Sequence, residues 1–422
     1  MRIPCAIVTA VVLLSLCGCG PAGSAAPTVG GATRLLTPEG RSVDPAFFPI
    51  GVWLQDPALA PRYKEAGMNF YVGLHEGPTE AQLAELRRHG MPVMCEQNDV
   101  ALRHLADPLI IGWECASEPD NAQSFQGYWR GDVEKIREGW PELYASHGLD
   151  KKPYTGKYGP PIPPQWVVRR YQEIKKNDPS RPARVGLNQS VAWETWTGRG
   201  WRTGKLEDYP AYIQGGDIIC FDIYPACHTD PEIAGKLWYV ARGVERLMTW
   251  TDGRKPLWIP LECTRIDNPD GKMATPEQVK AEAWMAITQG ATGLIWFVHE
   301  FKPKFNGHAL LDNPEMLAGV TAINKQIQAL APVLNSPTQE DLAHVTAANA
   351  EVPINLLAKR HEGATYVFAV GMRPAATAAT FSVKGLGHAK AEVIGENRSL
   401  DVRGGTFTDE FGPYAVHLYR IP

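Results

Sequence analysis

Three carboxylates crowd one short stretch, "IIGWECASEPDN", from Ile110 to Asn121: Glu114, Glu118 and Asp120 follow an apolar run that reads as a buried strand. A further acid, Glu262, closes a second apolar run in "KPLWIPLECTR". Two carboxyl groups facing each other across a cleft can split a glycosidic bond. One protonates the leaving oxygen; the other attacks the anomeric carbon or activates a water. A separation of ~5–5.5 Å implies retention of configuration, and ~6.5–9.5 Å implies inversion. Like charge and partial burial raise the pKa of the acid, while hydrogen bonds keep its partner ionised.

Such residues must be held by a scaffold, and the chain alternates apolar runs with helical patterns. "FFPIGVW" (47–53), "FYVGLH" (70–75), "MPVMCEQ" (91–97) and "LIIGWE" (109–114) read as the first four strands. "ARVGLN" (183–188), "DIICFDIYP" (217–225), "PLWIPLE" (256–262) and "TGLIWFVHEF" (292–301) read as four more. Helical segments lie between them, among them "TEAQLAELRRHG" (79–90), with a capping threonine and a terminal glycine, and "TPEQVKAEAWMAITQG" (275–290). Eight buried strands, each followed by helix, predict a (β/α)8 barrel over residues 45–335. A doubly wound sheet would call for a glycine-rich turn after the first strand, and none is present. After residue 336 short alternating strands predict a small antiparallel β-sandwich to residue 422, with "HEGA" (361–364) as a hairpin turn.

A barrel presents its working groups at the C-terminal ends of its strands. There stand Trp53, His75, Glu96, Ser117 with Glu118, Asn188 with Trp193 and Trp196 beyond, Asp222 with Tyr224, Glu262, and Trp296 with His299 and Glu300. This is a cleft of carboxylates, amides and indoles. It carries no lysine placed for a Schiff base and no compact histidine cluster for a metal, so neither cofactor nor metal is expected.

"GWECASEPD" resembles the strand-four signature of the clan GH-A glycoside hydrolases, of the cellulase and endo-mannanase kind, which often read W-E-L-x-N-E-P there. That resemblance implies a retaining hydrolase of a poly- or oligosaccharide, with Glu118 as acid/base and Glu262 as nucleophile. It also implies that Tyr224 in "FDIYP" hydrogen-bonds the nucleophile and that Trp296 floors the sugar subsite. Ser117 replaces the asparagine that precedes the acid/base in the clan, and His75 stands near the place of its usual arginine. Ser117, His75, Asn188, Trp193, Glu96 and Trp53 complete the expected substrate-binding set. Glu114 is read as supporting structure, and Asp120 as a cap of the following loop. A non-catalytic surface glycan-binding protein on the same barrel is the competing reading. A transglycosylase would share the covalent intermediate and differ only in the acceptor.

The ends and the composition set the outer bounds. Arg2, the apolar run Ala6–Leu16 and "LCGC" resemble a bacterial lipoprotein signal, with Cys19 as the lipidated residue. Residues 1–19 are then signal and residues 20–44 a flexible tether, which implies export and membrane contact only through a lipid anchor. Five cysteines remain after Cys19, with no CxxC pair, and read as small buried hydrophobes. A net charge of −4 gives no electrostatic footprint for nucleic acid. Thirteen tryptophans suit both a large core and the flat apolar faces of sugar rings.

Overall fold

The computed structural model describes residues 28–29, 32–123, 133–149 and 158–422. Cys19, the start of the tether and parts of the loop after the fourth barrel strand lie outside them. The barrel strands are β1 (Ile50–Trp53), β2 (Phe70–Val72), β3 (Val93–Glu96), β4 (Ile110–Ser117), β5 (Ala183–Leu187), β6 (Ile218–Phe221), β7 (Trp258–Glu262) and β8 (Gly293–Phe297). They pair in parallel in the order β6-β5-β4-β3-β2-β1-β8-β7. A parallel bridge between Ile219 and Leu257, with the Ile219 N–H donating to the Pro256 carbonyl at 3.0 Å, closes β6 onto β7. The fold is a TIM barrel followed by a β-sandwich.

Both faces of each strand are buried, which is why the runs read as continuously apolar. Inside the barrel, Phe70, Val72, Met94, Ile218, Trp258 and Ile295 fill the lower layers. Leu36 belongs to the same cluster and is buried, and Arg34 Nη1 donates to the Ser180 carbonyl at 2.6 Å. The segment expected to be tether through residue 44 is therefore already packed at Leu36, where its apolar side chain covers the open bottom of the barrel.

The outer faces of the strands meet the helices α1 (Ala60–Glu65), α2 (Glu80–His89), α3 (Asp99–Arg103), α6 (Pro164–Asn177), α7 (Tyr209–Tyr212), α8 (Tyr239–Thr251), α9 (Pro276–Thr288) and α10 (Pro314–Ala329), while α4 (Val133–Gly139) and α5 (Pro141–Ser146) build a separate small cluster around Ile136, Trp140 and Leu149. Helices α2 and α9 begin with full capping boxes, Thr79 with Gln82 and Thr275 with Gln278, each satisfying two otherwise orphaned donors.

The C-terminal strands are β9 (Ala343–Ala347), β10 (Ile354–His361), β11 (Ala364–Gly371), β12 (Thr377–Val383), β13 (Ala389–Val393), β14 (Arg398–Val402), β15 (Thr406–Phe411) and β16 (Val416–Ile421). They form a three-stranded sheet, β9-β12-β15, and a five-stranded sheet, β10-β11-β16-β13-β14. The turn at Glu362–Gly363 has φ of 48° and 80°, left-handed at both positions as a two-residue hairpin of the primed type requires. Phe368, Val370 and Leu418 join the core of the barrel, where Phe368 meets Trp284 of α9 at 5.2 Å between ring centroids.

Candidate active site

The acid-rich end of β4 is shaped by a β-bulge. Glu114 pairs with Arg184 and Ala116 with Val185, so Cys115 is an extra residue on this strand. Strict alternation from Glu114 would turn Ser117 away from the barrel axis. The bulge instead brings it opposite Gly186, and both residues line the cavity at the barrel mouth. The next residue, Glu118, has φ of 45°, and its N–H donates to the Gly186 carbonyl at 2.8 Å. A left-handed conformation at a residue other than glycine costs on the order of 1–3 kcal/mol, and such strain concentrates at functional sites.

The cavity holds about 70 Å³ and is lined by Glu118, Asp222, Tyr224, Trp53, Phe297 and Arg184, among others. Arg184 forms two 2.7 Å hydrogen bonds to the two oxygens of Glu114, and its guanidinium lies 5.0 Å from the Trp53 ring. Glu114 thus serves as the counter-ion of an arginine in the cavity wall, the supporting part expected of it. Asp120 is fully buried and accepts from the Asn188 N–H at 3.0 Å and from the Tyr209 hydroxyl at 2.9 Å. It pins the loop after β4 to the end of β5.

Asp222 follows β6 and is the carboxylate that shares the cavity with Glu118. Tyr224 lines the same cavity as Asp222, whose Oδ1 is buried and has no hydrogen-bond partner among the described residues. Burial raises the pKa of Glu118, against an opposing hydrogen bond from Asn121. Asp222 is pushed well above the usual range by burial first, then by the charges of Glu118 and Asp120. Burial of both carboxyl groups, with the Glu118 charge beside Asp222, makes ionisation of the two together costly. Burial also raises Asp120, to about 7, against Arg199 and its hydrogen bonds from Tyr209 and Asn188.

Glu262 lies elsewhere. Its side chain is fully buried; Oε1 accepts from the Ala226 N–H and Oε2 from the Cys227 N–H, both at 2.7 Å. The expected nucleophile therefore faces the turn after β6 and does not line the cavity that holds Glu118. Its other neighbour is Glu282 of α9, also fully buried, whose oxygens find no donor. Trp296 is also displaced from its expected place. It is fully buried and its Nε1 donates to Asn324 Oδ1 of α10 at 2.8 Å, so it packs behind the sheet. Phe297, one residue on, lines the cavity instead and meets the Tyr224 ring at 5.3 Å.

The remaining candidates divide in the same way. Trp53, Ser117 and Tyr224 line the cavity. Asn188 is fully buried and caps a turn, accepting from the Ser190 N–H at 2.8 Å. Trp193 is buried with its ring edge-on to His228 at 5.5 Å. His75 and Glu96 are exposed and are not among the cavity-lining residues. Asp222, Phe297 and Arg184 are among the cavity residues that the expected set omits. Asp222 carried a signal, since it stands two residues before Tyr224 at a strand end.

No family model matches the chain, and no curated protein matches it in sequence. Solved structures do resemble it in shape. Gan42B, a GH42 beta-galactosidase, aligns over 92% of this chain and 99% of its own, with a TM-score of 0.51 and 9% identity. A catalytic mutant of Gan42B from G. stearothermophilus aligns over 89% and 98%, with a TM-score of 0.50 and 8% identity. At such identity the likeness concerns the fold: a barrel of this kind carrying a C-terminal β-domain.

Proposed function

We propose that the protein is a retaining glycoside hydrolase whose two working carboxyl groups are Glu118 and Asp222. Glu118 gives its proton to the leaving glycosidic oxygen and later takes one from water. Asp222 attacks the anomeric carbon with its carboxylate, while the Tyr224 hydroxyl supports its charge. Glu262 holds the turn that carries Tyr224. The observation that carries this reading is that Glu118 and Asp222 line one cavity at the barrel mouth, together with Trp53, Tyr224 and Phe297. The carbohydrate is the proposed partner, and export with lipid attachment at Cys19 the proposed setting.

The test is a comparison of Glu118→Gln, Asp222→Asn and Glu262→Gln on a panel of aryl glycosides and oligosaccharides. The first two should lower kcat/KM by about 10²–10⁴-fold, and the third far less. Product anomers read by NMR should match the substrate. Full activity in Asp222→Asn with loss in Glu262→Gln would return the nucleophile to Glu262. One observation favours a second reading, a glycan-binding barrel without turnover: Glu262 is turned out of the cavity. Tight binding with no hydrolysis of any bound glycan would establish it.

A further inference from the structure

Among the described residues three large hydrophobic side chains stand exposed: Tyr158 at 50%, Phe301 at 47% and Phe305 at 60%. The two phenylalanines are neighbours, 5.7 Å apart between centroids, on the loop that follows β8. They also continue a line of rings out of the cavity. Tyr224 meets Phe297 at 5.3 Å, and Phe297 meets Phe301 at 6.2 Å. His299 packs against Phe297, Phe301 and Phe305 from the buried side.

The loop is built to hold these rings in place. Glu300 and Asn306 exchange backbone hydrogen bonds at 2.9 and 2.8 Å, and the Phe301 N–H donates to the Ile266 carbonyl at 2.6 Å. Gln55 Nε2 donates to the Gly307 carbonyl at 2.7 Å, Thr264 Oγ1 to the His299 carbonyl at 2.7 Å, and Arg265 pairs with Glu300. Single exposed apolar residues are ordinary. Two neighbouring rings, tilted by 37° on a tied-down loop and joined ring by ring to the cavity, form a preorganised face that loses little entropy on binding. Between them, in "FKPKF", Lys302 and Lys304 are exposed, and neither has an ion-pair partner among the described residues.

We infer that Phe301 and Phe305, with Lys302 and Lys304, form a distal subsite for an acidic glycan, stacking a sugar ring and neutralising its carboxylate or sulfate. The inference rests on the hydrolase reading for the identity of the cavity, and it names the substrate class. A sugar ring offers an apolar face to the phenyl rings, and its anionic substituent reaches the flanking ammonium groups. The occupant is thus a charged polysaccharide strand that runs from the cavity over the β8 loop.

Binding can be read without turnover, in Glu118→Gln, by calorimetry. The probes are an oligouronate, a sulfated oligosaccharide and a neutral manno-oligosaccharide of similar length. The expected result is salt-sensitive binding of one or both charged probes, with whichever binds identifying carboxylate or sulfate, and at least fivefold weaker binding of the neutral one. Phe301→Ala/Phe305→Ala should weaken the charged probe about tenfold, or ~1.4 kcal/mol. Lys302→Gln/Lys304→Gln should erase the preference for charge. Equal binding of the neutral probe, unchanged affinity in the phenylalanine variant, or no binding of any probe overturns the inference. So does a phenylalanine variant that loses only its attachment to phosphatidylglycerol vesicles, which would make the loop a membrane wedge. Hydrolysis that requires Glu118, together with unchanged binding in the phenylalanine variant, refutes the subsite and leaves the hydrolase standing.

Discussion

Glu282 has no part in the cavity, yet it is fully buried on α9 against Glu262, and neither of its oxygens has a donor. Burial, then the Glu262 charge, drive its pKa well above the usual range. A proton on Glu282 supplies the missing donor. Because the folded-state pKa is raised, the stability contributed by this proton is complete below the unfolded value of ~4.3 and is lost as pH rises through the folded value. Glu282→Gln keeps the shape and removes the ionisation. It should stabilise the protein at pH 8 by roughly 1–3 kcal/mol, the cost of an unsatisfied buried polar group, and change little at pH 4. Urea unfolding at the two pH values checks this; a destabilised variant at pH 8 would show that Glu282 is tolerated there as an anion.

At the scale of the element, β4 and β5 are locked by the Arg184–Glu114 pair directly beneath the bulge. Both side chains are buried, so removal of one leaves an uncompensated charge. Arg184→Met should cost about 3–5 kcal/mol, whereas a double replacement with apolar residues should recover most of that loss. Chemical denaturation of the single and double variants decides; equal losses in both would place the cost in packing.

The strands themselves were legible because a parallel strand buried on both faces leaves a continuous apolar run. The same property hides which residue points inward. Nothing in "TGLIWFVHEF" says that Trp296 faces α10 and Phe297 the cavity. The bulge at Cys115 adds one residue without any change of composition, and so the parity of "ECASE" could not be read. Glu118, Ser117, Tyr224 and Trp53 line the cavity, and their places were legible because strand ends are visible. The direction of Glu262 was not legible, because it is set by the backbone amides of Ala226 and Cys227, which reach it only through the packing of β6 on β7.

On the scale of the whole molecule, the sandwich shares a core with the barrel. Its β10 and β11 lie along α9, the helix that follows β7, and Asn355 Nδ2 donates to Gln289 Oε1 at 2.7 Å at the edge of this contact. Phe368→Ala would open a void against Trp284 and should cost about 3–5 kcal/mol. Its effect on both layers is testable: hydrogen exchange of α9 amides should quicken along with those of β11. Protection lost from β11 alone would make the sandwich an independent appendage.

All five cysteines after Cys19 are buried and unpaired in the fold. Cys95, Cys115 and Cys220 sit on β3, β4 and β6, while Cys227 and Cys263 follow β6 and β7, so the thiols ring the barrel. Burial raises the pKa of each, to about 11 for Cys220 and about 12 for Cys115, and the thiolate form that reacts is suppressed at neutral pH. The barrel thus carries a silent alarm: among the described residues a thiol reagent meets no target until the barrel opens, and the rate at which these five thiols are first modified times that opening without any added label.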